Sequence, residues 1–198
     1  GKIYGQYVSD PFSFGLHFIP SVYQLDNEDY LLIYEIKPEI SYTVNQQVSI
    51  WLSYSYASND YRQEADDDRD GSTQELFLDV IYSLASDRGY VLAGVGYEDN
   101  TASEEQYDYN RVIFRAGGIF NLTGDLSMEV LGTHWSKEYK EDDDFDSTRY
   151  RISLTLTHPC YFDFLEIAVE YAHTNNDSNY NDDDFTRQLY GISLIATF

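Results

Sequence analysis

Charged residues recur at alternate positions along much of this 198-residue chain, and they are the groups that could do chemistry. Cations stand at Lys37, Arg111, Arg115, Arg149, Arg151 and Arg187, and acids at Glu35, Glu39, Glu75, Asp79, Glu98, Glu129, Glu166 and Glu170. Two outcomes are open to such a set. Packed into a small enclosed space, the opposite charges form an ion-pair network that fills it. Spread along a water-filled passage, a basic wall running from Arg111 to Arg187 and facing acids would orient polar or charged solutes.

The acidic runs form a second group. Asp66-x-Asp68-x-Asp70-Gly71 has the alternating oxygen ligands and the glycine with which an EF-hand calcium loop opens. Its twelfth position is Phe77, where that loop needs a bidentate Glu, and no helical pattern flanks it. The expectation is a solvated acidic rim with, at most, weak calcium binding. Asp142–Asp144 with Asp146, and Asp182–Asp184, repeat the theme without the glycine. His134 and His173 lie near carboxylates, yet no serine is clearly paired with His134, and no enzymatic activity is expected. Cys160 is the single cysteine and cannot form an internal disulfide.

These residues are positioned by strands. Two unlike faces alternate with a period of two in segment after segment. In 30–44 the even positions are Tyr, Leu, Tyr, Ile, Pro, Ile, Tyr and Val, opposed by Glu35, Lys37 and Glu39. In 147–158 Tyr150, Ile152, Leu154 and Leu156 oppose Arg149, Arg151, Ser153 and Thr155. The pattern predicts strands at about 12–24, 30–44, 47–57, 74–84, 89–98, 109–121, 126–137, 147–158, 162–173 and 186–198. Many are ten residues or longer, the length of a tilted membrane strand and about twice that of most soluble ones. No run approaches the roughly 18 apolar residues of a membrane helix, so a crossing would be made by closed strands.

The connections alternate as well. Short ones near Asn45, 86–88, 122–125 and 159–161 are interleaved with longer ones, and 24 of the 35 acids fall in segments 25–29, 58–73, 98–108, 138–146 and 174–185. If the strands run up and down, every acidic connection lies at one end. A net charge of −23 argues against nucleic acid as a partner.

The last thirteen residues, Thr186 to Phe198, alternate Tyr190, Ile192, Leu194, Ala196 and Phe198 with Gly191, Ser193 and Thr197. They resemble the final strand of Gram-negative outer-membrane β-barrels, which close with a terminal Phe. The resemblance implies an all-β, antiparallel up-and-down transmembrane barrel with short periplasmic turns and longer acidic extracellular loops. It also implies docking to the barrel-assembly machinery through that last strand. Bacterial barrels use even strand numbers, so the count is expected to be about ten, or twelve, with residues 1–11 a lead-in or a short strand and 12–198 the barrel. Asp10-Pro11 is expected to break those first residues from the strand that begins at Phe12. A secretory leader is expected upstream.

Polarity on such a barrel is inverted: apolar residues face lipid and polar ones face inward. Small residues on the polar face (Ser49, Ser53, Gly94, Gly96, Gly117, Ser193) suit a crowded interior. Tyr54, Tyr56, Tyr97, Tyr150, Tyr171, Phe120 and Phe198 are expected in the interfacial aromatic girdles. The alternative, a soluble lipocalin-like barrel, would put the same apolar face inside. The leading functional expectation is a narrow porin-like channel for small polar or ionic solutes in the bacterial outer membrane. The alternative is a plugged structural or interaction barrel whose loops meet divalent cations, lipopolysaccharide or a protein partner.

Overall fold

A computed structural model describes residues 2–25, 28–122, 125–141, 146–160, 165–179 and 184–196. They form one antiparallel sheet of eleven strands in chain order: β1 Ile3–Ser9, β2 Phe12–Leu25, β3 Glu28–Thr43, β4 Val48–Tyr61, β5 Gly71–Ser83, β6 Gly89–Ala102, β7 Tyr109–Asn121, β8 Ser127–Tyr139, β9 Ser147–Pro159, β10 Leu165–Ser178 and β11 Phe185–Ala196. No α-helix occurs among the described residues, only short 3-10 turns.

Where about ten strands, or twelve, are expected, the described residues make eleven. Residues 3–9 are paired throughout with β2, from Ile3 opposite Phe18 to Ser9 opposite Phe12. Asp10-Pro11 does not break the pairing but makes its turn. Proline has no N–H to give to a ladder, and in a turn none is needed; the Pro11 carbonyl accepts the Thr43 N–H at 2.9 Å. Among the described residues β1 and β11 each pair on one side only, so the sheet has two free edges.

Several strands also run further toward the long loops than expected. β4 reaches Tyr61, β6 reaches Ala102 and β10 reaches Ser178. Their last turns of sequence are polar on both faces, which erases the period of two, but backbone pairing needs no apolar side chain.

The faces are inverted relative to a soluble protein. Buried apolar side chains are few (Phe77, Ala168 and Ala172), while Leu16, Phe18, Ile36, Leu52, Leu78, Val80, Val95, Phe114, Ile152, Val169 and Ile192 are exposed on the outward face. The buried inward residues include His17, Asp79, Glu98 and Asn176. Such a surface is stable only against lipid.

A repeat underlies the second half of the sheet. Strands β5, β7, β9 and β11 begin at 71, 109, 147 and 185, and β6, β8 and β10 at 89, 127 and 165; both series step by 38 residues. Each unit is a hairpin whose strands are tied at one end by a backbone hydrogen bond, Leu84 N–H to the Gly89 carbonyl at 2.8 Å, Leu122 to Leu126 at 2.9 Å and Cys160 to Leu165 at 2.7 Å. At the other end an aspartate precedes each descending strand: Asp70, Asp108, Asp146 and Asp184. Their carboxylates accept the backbone N–H of Tyr61 at 2.6 Å, Ala102 at 2.6 Å, Tyr139 at 2.8 Å and Ser178 at 2.6 Å. The carbonyls of Asp70, Asp108 and Asp146 accept the N–H of Ser103, Lys140 and Asn179, just past the second strand of the same hairpin, where the next long loop begins. One residue thus ties its own loop to the neighbouring loop, at a fixed position in every unit.

The charged inner wall as a candidate functional site

Register decides which inward side chains meet. Asp79 on β5, Gly94 on β6 and Arg115 on β7 share one rung of the sheet. Carboxylate and guanidinium stand two strands apart, about 9.6 Å at the backbone, and they meet across the glycine. A side chain at Gly94 would collide with the Asp79 carboxylate. Arg115 Nε donates to Asp79 Oδ1 at 2.7 Å and its Nη2 to Oδ2, a bidentate fork. Gly96 makes the same allowance for Phe77, over whose ring the Arg115 guanidinium lies at 4.0 Å. Glu98 and Arg111 are directly opposite each other on β6 and β7 and also pair.

Beyond these pairs the wall becomes basic and aromatic. Trp135 on β8 carries the Arg111 guanidinium at 5.3 Å and that of Arg149, from β9, at 4.4 Å from its ring centre. Arg149 Nε donates to the buried Asn176 Oδ1 at 3.0 Å, and Phe185 lies 5.0 Å beneath the same guanidinium. Lys137 is held over the rings of Tyr109 and Tyr139 at 3.9 and 4.2 Å. Arg151 and Arg187 face inward by register with Thr133 and Thr174.

On the other side, His17 Nε2 lies 3.1 Å from Glu39 Oε2 with the Tyr4 ring stacked on the imidazole at 4.3 Å. Glu39 occupies the space that Gly15 leaves empty. Lys37 stands opposite His17 on β3. Toward the tight turns, Glu129, Thr155, Glu170 and Gly191 make one further rung, and Glu166 shares the inner face with Ala168. At the long-loop end a cavity of about 800 Å³ opens, lined by Glu35, Glu75, Glu98, Arg111 and Lys137 with Tyr61, Tyr107, Tyr109 and Tyr139.

By register the fourteen charged residues expected inside lie on one face, and among the described residues the ion pairs they form are Glu98–Arg111, Asp79–Arg115 and Glu39 with His17. Sequence reasoning missed Lys137, Trp135 and the Tyr4–His17 stack. Lys137 has the parity of Trp135 and Thr133, and that signal was available; the Tyr4 contact depends on β1, whose faces do not differ.

At the acidic loop, Glu64–Arg69 forms a 3-10 turn, Asp66 lies 3.6 Å from Arg69, and Asp70 is engaged with the Tyr61 N–H. Asp68 offers its carbonyl to Glu104 at 3.0 Å. Among the described residues no three metal-ligating side chains converge. Tyr54, Tyr56, Tyr97 and Tyr150 are exposed on the outward face. Tyr54 and Tyr97 give their hydroxyls to Gln74 and Asn110 at 2.9 Å. Tyr171 packs on Tyr190 at 5.2 Å, Phe120 is half-buried on the same outward face, and Phe198 lies outside the described residues. His134 is outward between Phe114 and Tyr150, and His173 lies 6.0 Å from the Tyr150 ring.

Among curated proteins no sequence match is found. Among solved structures the fold is similar to OmpT, an outer membrane protein of Vibrio cholerae, with a TM-score of 0.68 and 8% sequence identity, over 98% of this chain and 63% of that one. The chain therefore spans less than two thirds of that protein's length. The model of the surface lipoprotein assembly modifier family matches residues 6–196, from the first strand to the last. With its lipid-facing apolar belt and polar interior, the chain is a β-barrel protein of the bacterial outer membrane and belongs to the surface lipoprotein assembly modifier family.

Proposed function

We propose that this barrel acts in the assembly of lipoproteins at the bacterial surface, taking a segment of polypeptide against its charged inner wall. The observation that supports this reading is the extent of the family match, which takes in nearly the whole sheet, residues 6–196. The inner wall offers what a polypeptide segment needs from a partner. It has guanidinium groups held on aromatic rings and, at the long-loop end, a cavity of about 800 Å³ lined by carboxylates, tyrosines, Arg111 and Lys137.

The test is surface display. Cells lacking the gene for this chain should retain their total lipoprotein but lose its accessibility to external protease, and a copy of the gene should restore it. Unchanged accessibility would sink the proposal.

The loop-end cavity favours a second reading, a narrow channel for small polar or ionic solutes. Purified, folded protein should then give discrete conductance steps in a planar bilayer. Replacing Arg111 and Arg115 with Ser should alter ion selectivity. No steps, with only lowered thermal stability in the variant, would leave those arginines as structural partners of Glu98 and Asp79.

A further inference from the structure

The 38-residue hairpin unit repeats more than its aspartate. Three positions after Asp108, Asp146 and Asp184 come Arg111, Arg149 and Arg187, so Asp-x-x-Arg recurs at the same place in three successive units; the unit at Asp70 has Thr73 instead. The register adds a second row. Arg115, Thr133, Arg151, Thr174 and Arg187 lie on one rung crossing β7 to β11. Five arginines are thereby gathered on the inner face of three alternate strands, in a protein of net charge −23.

Acids are abundant, yet only part of this wall is neutralised by them. Arg111 and Arg115 pair with Glu98 and Asp79, but among the described residues Arg149, Arg151 and Arg187 form no ion pair. Arg149 is instead fixed in place by the buried Asn176 and by Trp135 and Phe185. An arginine oriented by neutral groups keeps its charge for something else. Above the arginines lie the loop aspartates; below them, Glu129 and Glu170 share a rung. An anionic group in the lumen is therefore attracted to one tier and repelled on both sides of it, which favours retention over passage.

We infer that this arginine tier is a binding site for an extended, acidic segment of polypeptide, an assignment that rests on the lipoprotein-assembly reading and specifies its ligand. Spacing separates a peptide from a small anion. Arginines on alternate strands are about 9.6 Å apart, and a chain extended as polyproline II returns the same face every third residue, about 9.3 Å further on, so one acidic segment can meet two or three of them while a lone phosphate reaches one. Several such contacts on one chain reinforce each other.

The probe is a fluorescein-labelled oligoglutamate peptide, followed by anisotropy with the folded protein in detergent micelles; oligolysine is the control. Oligoglutamate should bind, more weakly as salt rises, and oligolysine should not. Arg149→Gln with Arg187→Gln should weaken binding by about tenfold. Arg149→Lys with Arg187→Lys should recover most of it, which separates lost charge from lost folding. Equal binding by the glutamine variant overturns the inference, as does displacement of the peptide by inorganic phosphate at matched charge, which would mark a simple anion subsite such as a lipopolysaccharide phosphate would fill. If peptide binding fails while surface display of lipoproteins still depends on the gene, the tier is wrong and the assembly reading stands. If display is independent of the gene, the assembly reading is the one that fails.

Discussion

Asp146 and Arg149, three residues apart, face opposite ways in function. The Asp146 carboxylate accepts the Tyr139 N–H at 2.8 Å and so closes the loop between β8 and β9, whereas the Arg149 guanidinium lies on Trp135 inside the lumen. The same division holds for Asp108 with Arg111. There, too, the acid is bound to backbone and the base stands on the inner wall. The acid shapes the rim while the base is presented to the interior.

Asp146→Ala should therefore loosen the rim without touching the inner wall. Losing a charge-assisted bond to a backbone N–H costs about 1.5–3 kcal/mol. Urea unfolding in micelles should show that loss, and external protease should cut near residue 141 sooner. Asp146→Asn keeps an acceptor and should lie between the two. A substitution of Asp142, in the same acidic run, gives the control for charge alone.

Why the outer surface was legible and the pairing was not comes down to contrast. Lipid outside and charged groups inside give β7 two faces that contrast along its first half, Val112 and Phe114 against Arg111 and Arg115, and its bounds of 109–121 were readable from the sequence. β1 offers Ile3, Gly5 and Tyr7 against Tyr4, Gln6 and Val8, with no contrast to read. The Asp79–Arg115 pair spans 36 residues of sequence and depends on the register of three strands and on a glycine between them. The aspartate repeat was present in the sequence but hidden by number, four positions among 35 acids.

That pair makes an asymmetric prediction. Asp79 is 7% exposed, and Arg115→Met would leave its carboxylate without a counter-charge. The cost should be about 3–5 kcal/mol, whereas Arg115→Met combined with Asp79→Leu should recover a large part of it. Gly94→Val should resemble the single variant, because its side chain would occupy the path between the two groups. Heat-dependent mobility on a gel, which separates folded from unfolded barrel, ranks the three.

The outward face is tested by a charge placed against lipid. Phe114 is 53% exposed midway along β7, one residue from the inward Arg115. Phe114→Arg should destabilise the folded barrel in lipid by about 2–4 kcal/mol, although the same side chain is native at the next position. Unfolding measured in lipid vesicles reads the difference; an unaffected protein would mean that this face does not meet the acyl chains.

Lys140, just past β8, gives a pH dependence with a definite sign. Partial burial pulls its pKa down, but the hydrogen bond to Asp99 and the charges of Asp99 and Asp108 more than offset this and hold it above the ordinary lysine value. Its ammonium lies 2.9 Å from Asp99 and 3.6 Å from Asp108. A base whose pKa is higher in the folded state binds its proton more tightly there, so the contribution to stability is complete below the unfolded lysine pKa and disappears as pH rises through the folded one. The lysine is a third exposed, which keeps the effect small. Wild type and Lys140→Met should therefore differ modestly in thermal stability at pH 8 and converge in strongly alkaline buffer. A difference that persists there would trace the role of Lys140 to its alkyl chain instead of its charge.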